Sequence, residues 1–421
     1  MTSQTHSDQT HGAAKRPRSV AEHLAAVTDL LARLVSESRA EVVPLPDALG
    51  RALVHGFLAP LSLPPFANSQ MDGYAVRSAD IPDGGTDLSI MPPVPAGSRP
   101  QPLQPGTAAP IMTGAMIPAN ADAVVPIEKA VPDHFLTHPG GAAVTLPATA
   151  PGTFVRAAGS DIAAGEQALA AGTCLGPAQL GLLAAFGMAE VEVYREVSVL
   201  LVTTGDEVVE PGVPLPEGKI YDSNGTLLEA AMKQAGLCVR RAGISTDNPG
   251  ALQSLLRTAG RDVDVIVTTG GVSKGAYEVV RQAMADQPVE FLHVAMQPGG
   301  PQGIGTFDGV PFLGFPGNPV SCLVSFEMFL RPALSALLGA PAPRLPLRAR
   351  LDLKGQARQL TSPGHKHQVR RGSLQPDGTV RLEGGESSHL MHALAASNVL
   401  IQIPEGVTEL DAGDEVEVWM L

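Results

Sequence analysis

The chain has 421 residues and a formal net charge of −13 at pH 7, with 42 acidic against 29 basic residues. This length exceeds what one hydrophobic core usually supports, so several domains are expected. The acidic balance argues against a nucleic acid or an acidic membrane bound through a general basic surface, so we expect neither as a partner. An anionic ligand must be captured locally, by backbone amides, helix N-termini, a metal ion or a few basic side chains.

The cysteines and the N-terminus bear on the cellular location. Cys174, Cys238 and Cys322 lie far apart and form no C-x-x-C pair, which favours a reducing cytoplasm. Residues 1–19 are polar and lack the apolar segment of a signal peptide, so a disordered tail is predicted there. No uninterrupted apolar run approaches the length of a membrane-spanning helix, and we therefore expect a soluble protein.

The N-terminal half is predicted to combine a helix with a small β-rich domain. Apolar residues recur with helical spacing over residues 20–40, and the helix is expected to end at the prolines that follow. Dense Pro and Gly, broken by short apolar runs, predict the β-rich domain over residues 60–150. We expect residues 20–59 and 151–190 to form one discontinuous linker domain.

The C-terminal half is predicted to contain two further domains. Apolar strands alternate with helical segments over residues 191–340, which predicts an α/β domain with a mostly parallel sheet. Its predicted strands are 197–202, 237–242, 263–267, 291–294 and 311–313, and its predicted helices are 223–235, 249–259, 277–285 and 319–338. Short strands and glycine turns over residues 341–421 predict a C-terminal β-barrel domain.

Glycine-rich loops follow three of these predicted strands. They contain Thr204-Gly205-Asp206-Glu207, Gly270-Gly271-Val272-Ser273-Lys274 and Pro316-Gly317-Asn318. One such loop alone would more simply be an ordinary strand-to-helix turn. Because ligands of open α/β sheets bind outside the carboxyl ends of the strands, the three loops together predict one shared site. Their N–H groups, with Lys274 as a point charge, suit a phosphate-sized anion.

The polar side chains near these loops are mostly carboxylates: Asp206, Glu207, Asp222, Asp247 and Glu278. Carboxylates alone would repel a phosphate, so we expect a divalent metal between them, with Asp206, Glu207 and Asp247 as candidate ligands. The alternative is that these acids cap helix N-termini, and for Asp247 the two interpretations are nearly even. For Asp206 and Glu207, which directly follow Thr-Thr-Gly, the functional interpretation is favoured.

Five motifs, in chain order, resemble the MoeA family of molybdopterin molybdenumtransferases, whose eukaryotic counterpart is the E domain of gephyrin: 68–75, 111–114, 203–207, 270–273 and 313–321. The resemblance runs from about residue 20 to the C-terminus and implies an elongated homodimer with four domains per chain. It implies insertion of molybdate into adenylylated molybdopterin with release of AMP, with Mg²⁺ as the metal. A further implied partner is the adenylyltransferase that supplies the pterin.

The resemblance also implies functional residues, and these join those on the loops. The predicted catalytic residues are Asp72, Glu207, Asp247 and Glu278. The predicted substrate-binding residues are Thr113, Asp161, Thr204, Gly205, Asp206, Asp222, Gly270, Gly271, Ser273, Lys274, Pro298, Pro301, Pro316, Gly317 and Asn318. Two positions depart from the family pattern, which often has Asp in place of Glu278 and Lys in place of Gly300. The second departure removes a cation from the expected anion site.

Two other functions stay open on the sequence alone. The α/β segment is similar to a molybdopterin adenylyltransferase, but that enzyme needs only this one domain and leaves Asp72 and Thr113 unexplained. A non-catalytic molybdopterin-binding or scaffold paralogue would keep the fold, and the absent lysine at Gly300 motivates this alternative.

Overall fold

The computed structural model describes residues 16–136, 142–245, 248–272, 279–354 and 359–421. These residues belong to two compact units. The first unit contains the chain up to Val54, Gly172–Gly176 and Glu190–Leu421, and the second contains His55–Ala171 and Pro177–Ala189. Of the predicted N-terminal tail, residues 1–15 lie outside the described part of the chain.

The α-helices of the described residues are α1 (Val20–Leu31), α2 (Pro177–Ala185), α3 (Ser223–Gln234), α4 (Pro249–Ala259), α5 (Val279–Ala283), α6 (Pro319–Ser325), α7 (Arg331–Leu338) and α8 (Met391–Ala395). The strands are β1 (Ala40–Pro44), β2 (Phe57–Leu58), β3 (Asn68–Ser69), β4 (Gly73–Val76), β5 (Thr86–Ile90), β6 (Thr107–Ile111), β7 (Ala123–Pro126), β8 (Ala143–Leu146), β9 (Val155–Arg156), β10 (Gln167–Leu169), β11 (Glu190–Tyr194), β12 (Ser198–Thr204), β13 (Val208–Val209), β14 (Ile220–Tyr221), β15 (Cys238–Ser245), β16 (Val265–Thr269), β17 (Val289–His293), β18 (Met296–Gln297), β19 (Pro301–Phe307), β20 (Val310–Phe315), β21 (Pro346–Asp352), β22 (Gln359–Thr361), β23 (His367–Leu374), β24 (Thr379–Leu382), β25 (Val399–Ile403), β26 (Glu409–Asp411) and β27 (Glu415–Met420).

A six-stranded sheet forms the centre of the first unit, with strand order β15-β12-β16-β20-β19-β17. The first four strands are parallel, whereas β19 pairs antiparallel with both of its neighbours. Side chains of β12 alternate between two apolar clusters: Val199 and Leu201 pack with residues of α3, α6 and α7, and Leu200 and Val202 with those of α4 and α5. The predicted α/β domain with a mostly parallel sheet, buried on both faces, is confirmed.

Local sequence explains where several helices begin and end. At the start of α1, Ser19 Oγ accepts from the Glu22 N–H while a Glu22 carboxylate oxygen accepts from the Ser19 N–H, a reciprocal capping box. Helix α3 ends before Gly236, whose φ of +77° is costly for other residues. Helix α4 opens with Asn248, whose side-chain oxygen accepts from the N–H groups of Gly250 and Ala251.

The predicted helix over residues 20–40 was too long. Helix α1 ends at Leu31, and short 3₁₀ turns lead into β1, which pairs antiparallel with β11. Polar residues replace the apolar repeat after Leu34, and the Ser36 hydroxyl accepts from the Ser38 N–H. Such local hydrogen bonds compete with helix formation, and the β-branched residues of β1 favour a strand.

Two further features of the α/β segment differ from the prediction. Strand β19 was missed, because Pro301 and two glycines inside it are unusual in strands. The helix predicted over 319–338 is interrupted by a π-helical turn at Phe326–Leu330. The whole segment Pro319–Leu338, with a mean hydropathy of 1.4, is long and apolar enough to span a bilayer, but 78% of its apolar window is buried inside the protein, as in a core helix.

The C-terminal barrel and the β-rich body are both confirmed. Strands β23, β24, β21, β27 and β25 pair in this order, and β25 pairs back with β23 to close the barrel. Strand β18 pairs parallel with β23 and joins the barrel to the α/β part of the same unit. In the second unit, β7-β4-β6-β5-β8 form a five-stranded sheet. The proposed limits of the discontinuous linker domain stay a prediction.

The π-helical turn carries a buried charge cluster. Both carboxylate oxygens of Glu327 accept from Arg344, at 3.0 and 2.9 Å, and Arg331 Nε lies 3.1 Å from the same carboxylate. The Glu327 side chain is 1% exposed. The cluster ties the core helix to the chain segment that leads into the barrel, because Arg344 precedes β21.

We expect Glu327→Gln to destabilise the first unit by about 3 kcal/mol, since it leaves two largely buried guanidinium groups without a counter-charge. Urea unfolding followed by the fluorescence of Trp419, the single tryptophan, measures this change. The matched control is Glu229→Gln in the exposed i,i+4 pair with Lys233, which should cost less than about 1 kcal/mol. Equal losses in both variants would contradict the prediction.

Candidate active site

A cleft of about 1010 Å³ lies at the carboxyl ends of β12, β16 and β20 in the first unit. The three glycine-rich loops predicted to share a site all contribute to it. Its described lining includes Thr204, Gly205, Glu207, Asp222, Asn224, Gly270, Gly271, His293, Gln297, Pro298, Gly300, Pro301, Pro316, Gly317, Asn318, Glu386, Ser387, Ser388 and His389. The parallel register of the strands explains this convergence, because consecutive strand ends meet at one edge.

The loops approach each other so closely that glycine is required. Gly270 has φ of +88°, and a Cβ there would lie 2.9 Å from the Thr204 carbonyl oxygen. The Thr204 hydroxyl donates to the Thr269 carbonyl at 3.0 Å, and the Gly270 N–H donates to the Phe315 carbonyl at 3.1 Å. These contacts hold the ends of the three strands together. This wall of the cleft is therefore formed largely by main chain.

Glu207 is the exposed carboxylate on the first loop of this wall. A Cβ at Gly205 would lie 2.6 Å from a Glu207 carboxylate oxygen, and Gly205 has φ of +135°. The carboxylate therefore lies over the backbone of the loop, in space that only glycine leaves open. Asp206, by contrast, is exposed outside the lining of the cleft, and its carbonyl accepts a hydrogen bond from Lys219 Nζ.

Asp222 lines the cleft, but its contacts stabilise the fold. It is the N-cap of α3, and its carboxylate accepts from the Gly225 N–H at 2.8 Å. The other carboxylate oxygen accepts from Arg241 at 2.7 Å, and the residue is 2% exposed. Both oxygens already have strong donors, so the helix-capping alternative explains this residue better than the predicted contact with a substrate.

Several lining residues were missed by the sequence analysis because they come from the C-terminal barrel. Asn318 Nδ2 donates to Ser388 Oγ at 2.8 Å, and the Val320 N–H donates to the Ser388 carbonyl at 3.1 Å. The run of Gly, Glu and Ser from residue 384 to 388, directly after a strand, was the available signal. Asn224 closes the opposite side, with Nδ2 2.5 Å from the Gly317 carbonyl oxygen.

Asp72 and Thr113, predicted from separate motifs, lie together in the second unit. Asp72 Oδ1 accepts from the Thr113 N–H at 2.6 Å and from the Thr113 hydroxyl at 2.8 Å. These hydrogen bonds, the backbone one first, lower the pKa of the exposed Asp72 carboxyl. Asp72 is therefore a fixed, ionised carboxylate at neutral pH. Asp161 is also exposed in this unit.

Four predicted site residues, Asp247, Ser273, Lys274 and Glu278, lie outside the described residues. They include one of the three candidate metal ligands. Within the described ranges, no group of three or more His, Cys, Asp or Glu side chains could hold a metal ion. Glu207 is thus the predicted metal ligand that the described residues place in the cleft, and Mg²⁺ is often bound by one or two carboxylates together with substrate phosphates.

Comparisons with known proteins agree along almost the whole chain. Residues 18–187, 200–336 and 356–421 match families described as MoeA N-terminal region (domain I and II), probable molybdopterin binding domain, and MoeA C-terminal region (domain IV). The chain is 43% identical over 418 residues to Molybdopterin molybdenumtransferase 2 of Mycobacterium tuberculosis (strain ATCC 25618 / H37Rv), covering 96% of this chain and 100% of that protein.

Other relatives and a solved structure extend this likeness. The chain is 35% identical over 409 residues to Molybdopterin molybdenumtransferase of Nostoc sp. (strain PCC 7120 / SAG 25.82 / UTEX 2576), covering 94% of this chain and 92% of that protein. The crystal structure of a molybdopterin biosynthesis moeA protein from Pyrococcus horikoshii OT3 superposes with a TM-score of 0.80 at 26% identity, covering 96% of this chain and 100% of that one.

We expect Asp222→Ala to lower the free energy of unfolding by about 2 kcal/mol, because the cap of α3 and the partner of Arg241 are lost together. Asn248→Ala, which removes only the exposed cap of α4, is the matched control and should cost about 1 kcal/mol. Urea unfolding gives both values. A variant at residue 222 that is as stable as the wild type but binds ligand more weakly would show that Asp222 contacts the substrate instead.

Proposed function

The chain belongs to the MoeA family of molybdopterin molybdenumtransferases, and we propose that its glycine-walled cleft is where molybdate is inserted into adenylylated molybdopterin. In this reaction the two dithiolene sulfurs replace two oxygens of molybdate, which leave as water or hydroxide. Water adds across the phosphoanhydride bond of the adenylylated pterin, so that AMP leaves and the pterin keeps its own phosphate. The observation that carries the proposal is the cleft itself. Three glycine-rich strand-end loops meet there around a volume of about 1010 Å³, which suits a nucleotide-sized anionic ligand.

Different groups of the cleft would bind the phosphates and the metal ion in this reaction. The main-chain N–H groups of the loops at Gly205, Gly271 and Gly317 would bind phosphate oxygens, since main-chain donors carry no negative charge. Glu207 would hold a Mg²⁺ ion together with the substrate's phosphate oxygens, because Mg²⁺ is usually bound by one or two carboxylates plus phosphates. When bound, the ion would offset the charge that develops on the departing AMP.

The proposal also covers the cellular compartment of the protein and the source of its substrate. The described residues include three free thiols, at Cys174, Cys238 and Cys322, and the protein would work in a reducing cytoplasm. The adenylyltransferase that makes the adenylylated pterin would be its supplier. The match of three successive family regions favours the molybdenum-inserting enzyme over a lone adenylyltransferase domain.

Purified protein incubated with adenylylated molybdopterin and molybdate should release AMP in step with cofactor formation. Glu207→Ala should lower the rate at least about a hundredfold with little change in melting temperature, because the side chain is exposed at the cleft rather than in a core. The control is Glu217→Ala, an exposed carboxylate outside the cleft lining, which should keep the wild-type rate. A wild-type protein that consumes ATP instead, or releases no AMP, would refute the assignment.

We propose further that the enzyme is a homodimer whose sites pair Asp72 of one chain with Glu207 of the other. Asp72→Ala and Glu207→Ala chains, each inactive alone, should then recover activity when refolded together, since a mixed dimer has one site with both changes and one with neither. Random pairing makes about half of the dimers mixed, so the recovered rate should approach roughly a quarter of the wild-type rate.

Sequential affinity purification over two different tags, one on each variant chain, establishes that the mixed dimers have formed. Verified mixed dimers without activity would rule out the shared site. That result would leave the enzyme assignment in place, because AMP release by the wild type is measured separately.

A further inference from the structure

The imidazole of His293 lies directly against the backbone of Gly300. A Cβ at residue 300 would be 2.7 Å from His293 Nε2 and 3.0 Å from Cε1, so a side chain there would push the ring out of its present position. Both residues line the cleft. Gly300 has no left-handed φ that would require glycine, and the three atoms nearest to such a Cβ all belong to the His293 ring, so the ring keeps its present position only beside a glycine.

The backbone that carries this ring is fixed from two sides. His293 is the last residue of β17 and pairs with Pro301 of β19. Its carbonyl accepts from the Arg18 N–H at 2.9 Å, and the next residue, Val294, donates its N–H to the Gly300 carbonyl at 2.7 Å. The backbone of His293 is therefore held in one position at the cleft, and its exposed ring extends from there.

The charges of the cleft make this ring important for an anion. Among the described lining residues, the acidic ones are Glu207, Asp222 and Glu386, and none is Lys or Arg. Asp222 is already paired with Arg241. The side chains of this lining that can carry positive charge are the imidazoles of His293 and His389. An anionic ligand that enters here needs such a donor to offset the carboxylates.

We propose that His293 is a binding residue of the cleft that donates an imidazole N–H to a tetrahedral oxyanion, and that Gly300 makes the room for its ring. The oxyanion is either molybdate or a phosphate of the adenylylated pterin, so this inference rests on the proposed function. The His293–Gly300 pair thereby supplies the cation that a side chain at residue 300 would otherwise bring.

Titration calorimetry with molybdate alone, and separately with AMP, tests the proposal and distinguishes the two oxyanions. His293→Ala should weaken one of the two about tenfold, because it removes a charge-assisted hydrogen bond. Weaker molybdate binding assigns His293 to the metal oxyanion, and weaker AMP binding assigns it to a phosphate. The affected affinity should also depend less on salt. His392→Ala, an exposed histidine outside the cleft lining, is the matched control and should bind as the wild type does.

A second pair of variants separates a binding role from a structural one. Gly300→Lys alone should bind no more tightly than the wild type, because its Cβ displaces the His293 ring while the lysine adds its own charge. His293→Ala combined with Gly300→Lys should return the affinity to within about threefold of wild type, since the lysine then has room and restores a cation. Melting temperatures confirm that each variant is folded.

Unchanged affinity of His293→Ala for both probes, or no recovery in the double variant, would overturn the inference. The proposed function would survive that result if the wild type releases AMP. If the wild type binds neither molybdate nor AMP and releases no AMP, the proposed function and this inference both fail.

Discussion

Main chain packed against main chain at the carboxyl edge of the parallel sheet is the constraint on which the structure depends. Strands β12, β16 and β20 run side by side in register, so their ends can meet only if the residues there have no side chains in the way. Gly205 and Gly270 satisfy this condition through their positive φ values and the close neighbours of their Cα atoms. The same approach excludes bulkier residues, so this side of the cleft is formed largely by main chain, whose dipoles suit an anionic ligand.

The net negative charge of the protein limits the ways in which it can bind an anionic ligand. A protein with a net charge of −13 cannot attract a polyanion over long distances, and the described lining of its cleft even carries Glu207 and Glu386. Recognition must come from short-range contacts, such as those with amide dipoles, with the proposed imidazole donor at His293 and with a bound metal ion. Such contacts favour the geometry of the ligand more than its total charge, which suits an enzyme that must distinguish one oxyanion from many.

Sequence reasoning predicted the parts of this structure that depend on local chemistry. The predicted helices 223–235 and 249–259 agree with α3 and α4, whose ends are set locally by Gly236 and Asn248, and the apolar strands marked the sheet. Sequence reasoning failed where contacts between distant parts of the chain determine the structure. Strand β19 contains Pro301 and is held only by its neighbours, and the barrel loop at Ser388 reaches the cleft through Asn318, 70 residues away. No local pattern could show that Asp222 already has Arg241 as a partner.

The pairing of β18 with β23 gives the C-terminal barrel a role beyond that of an appended domain. Met296 and Gln297 form a ladder with His367 and Gln368, and the residues that follow, Pro298 to Pro301, form one wall of the cleft. The barrel therefore supports that wall of the cleft. A tilt of the barrel would be transmitted through the two paired residues of β18 and β23 to the place where the ligand lies. A change in the distance between the barrel and the sheet would therefore alter the shape of the cleft without altering any residue inside it.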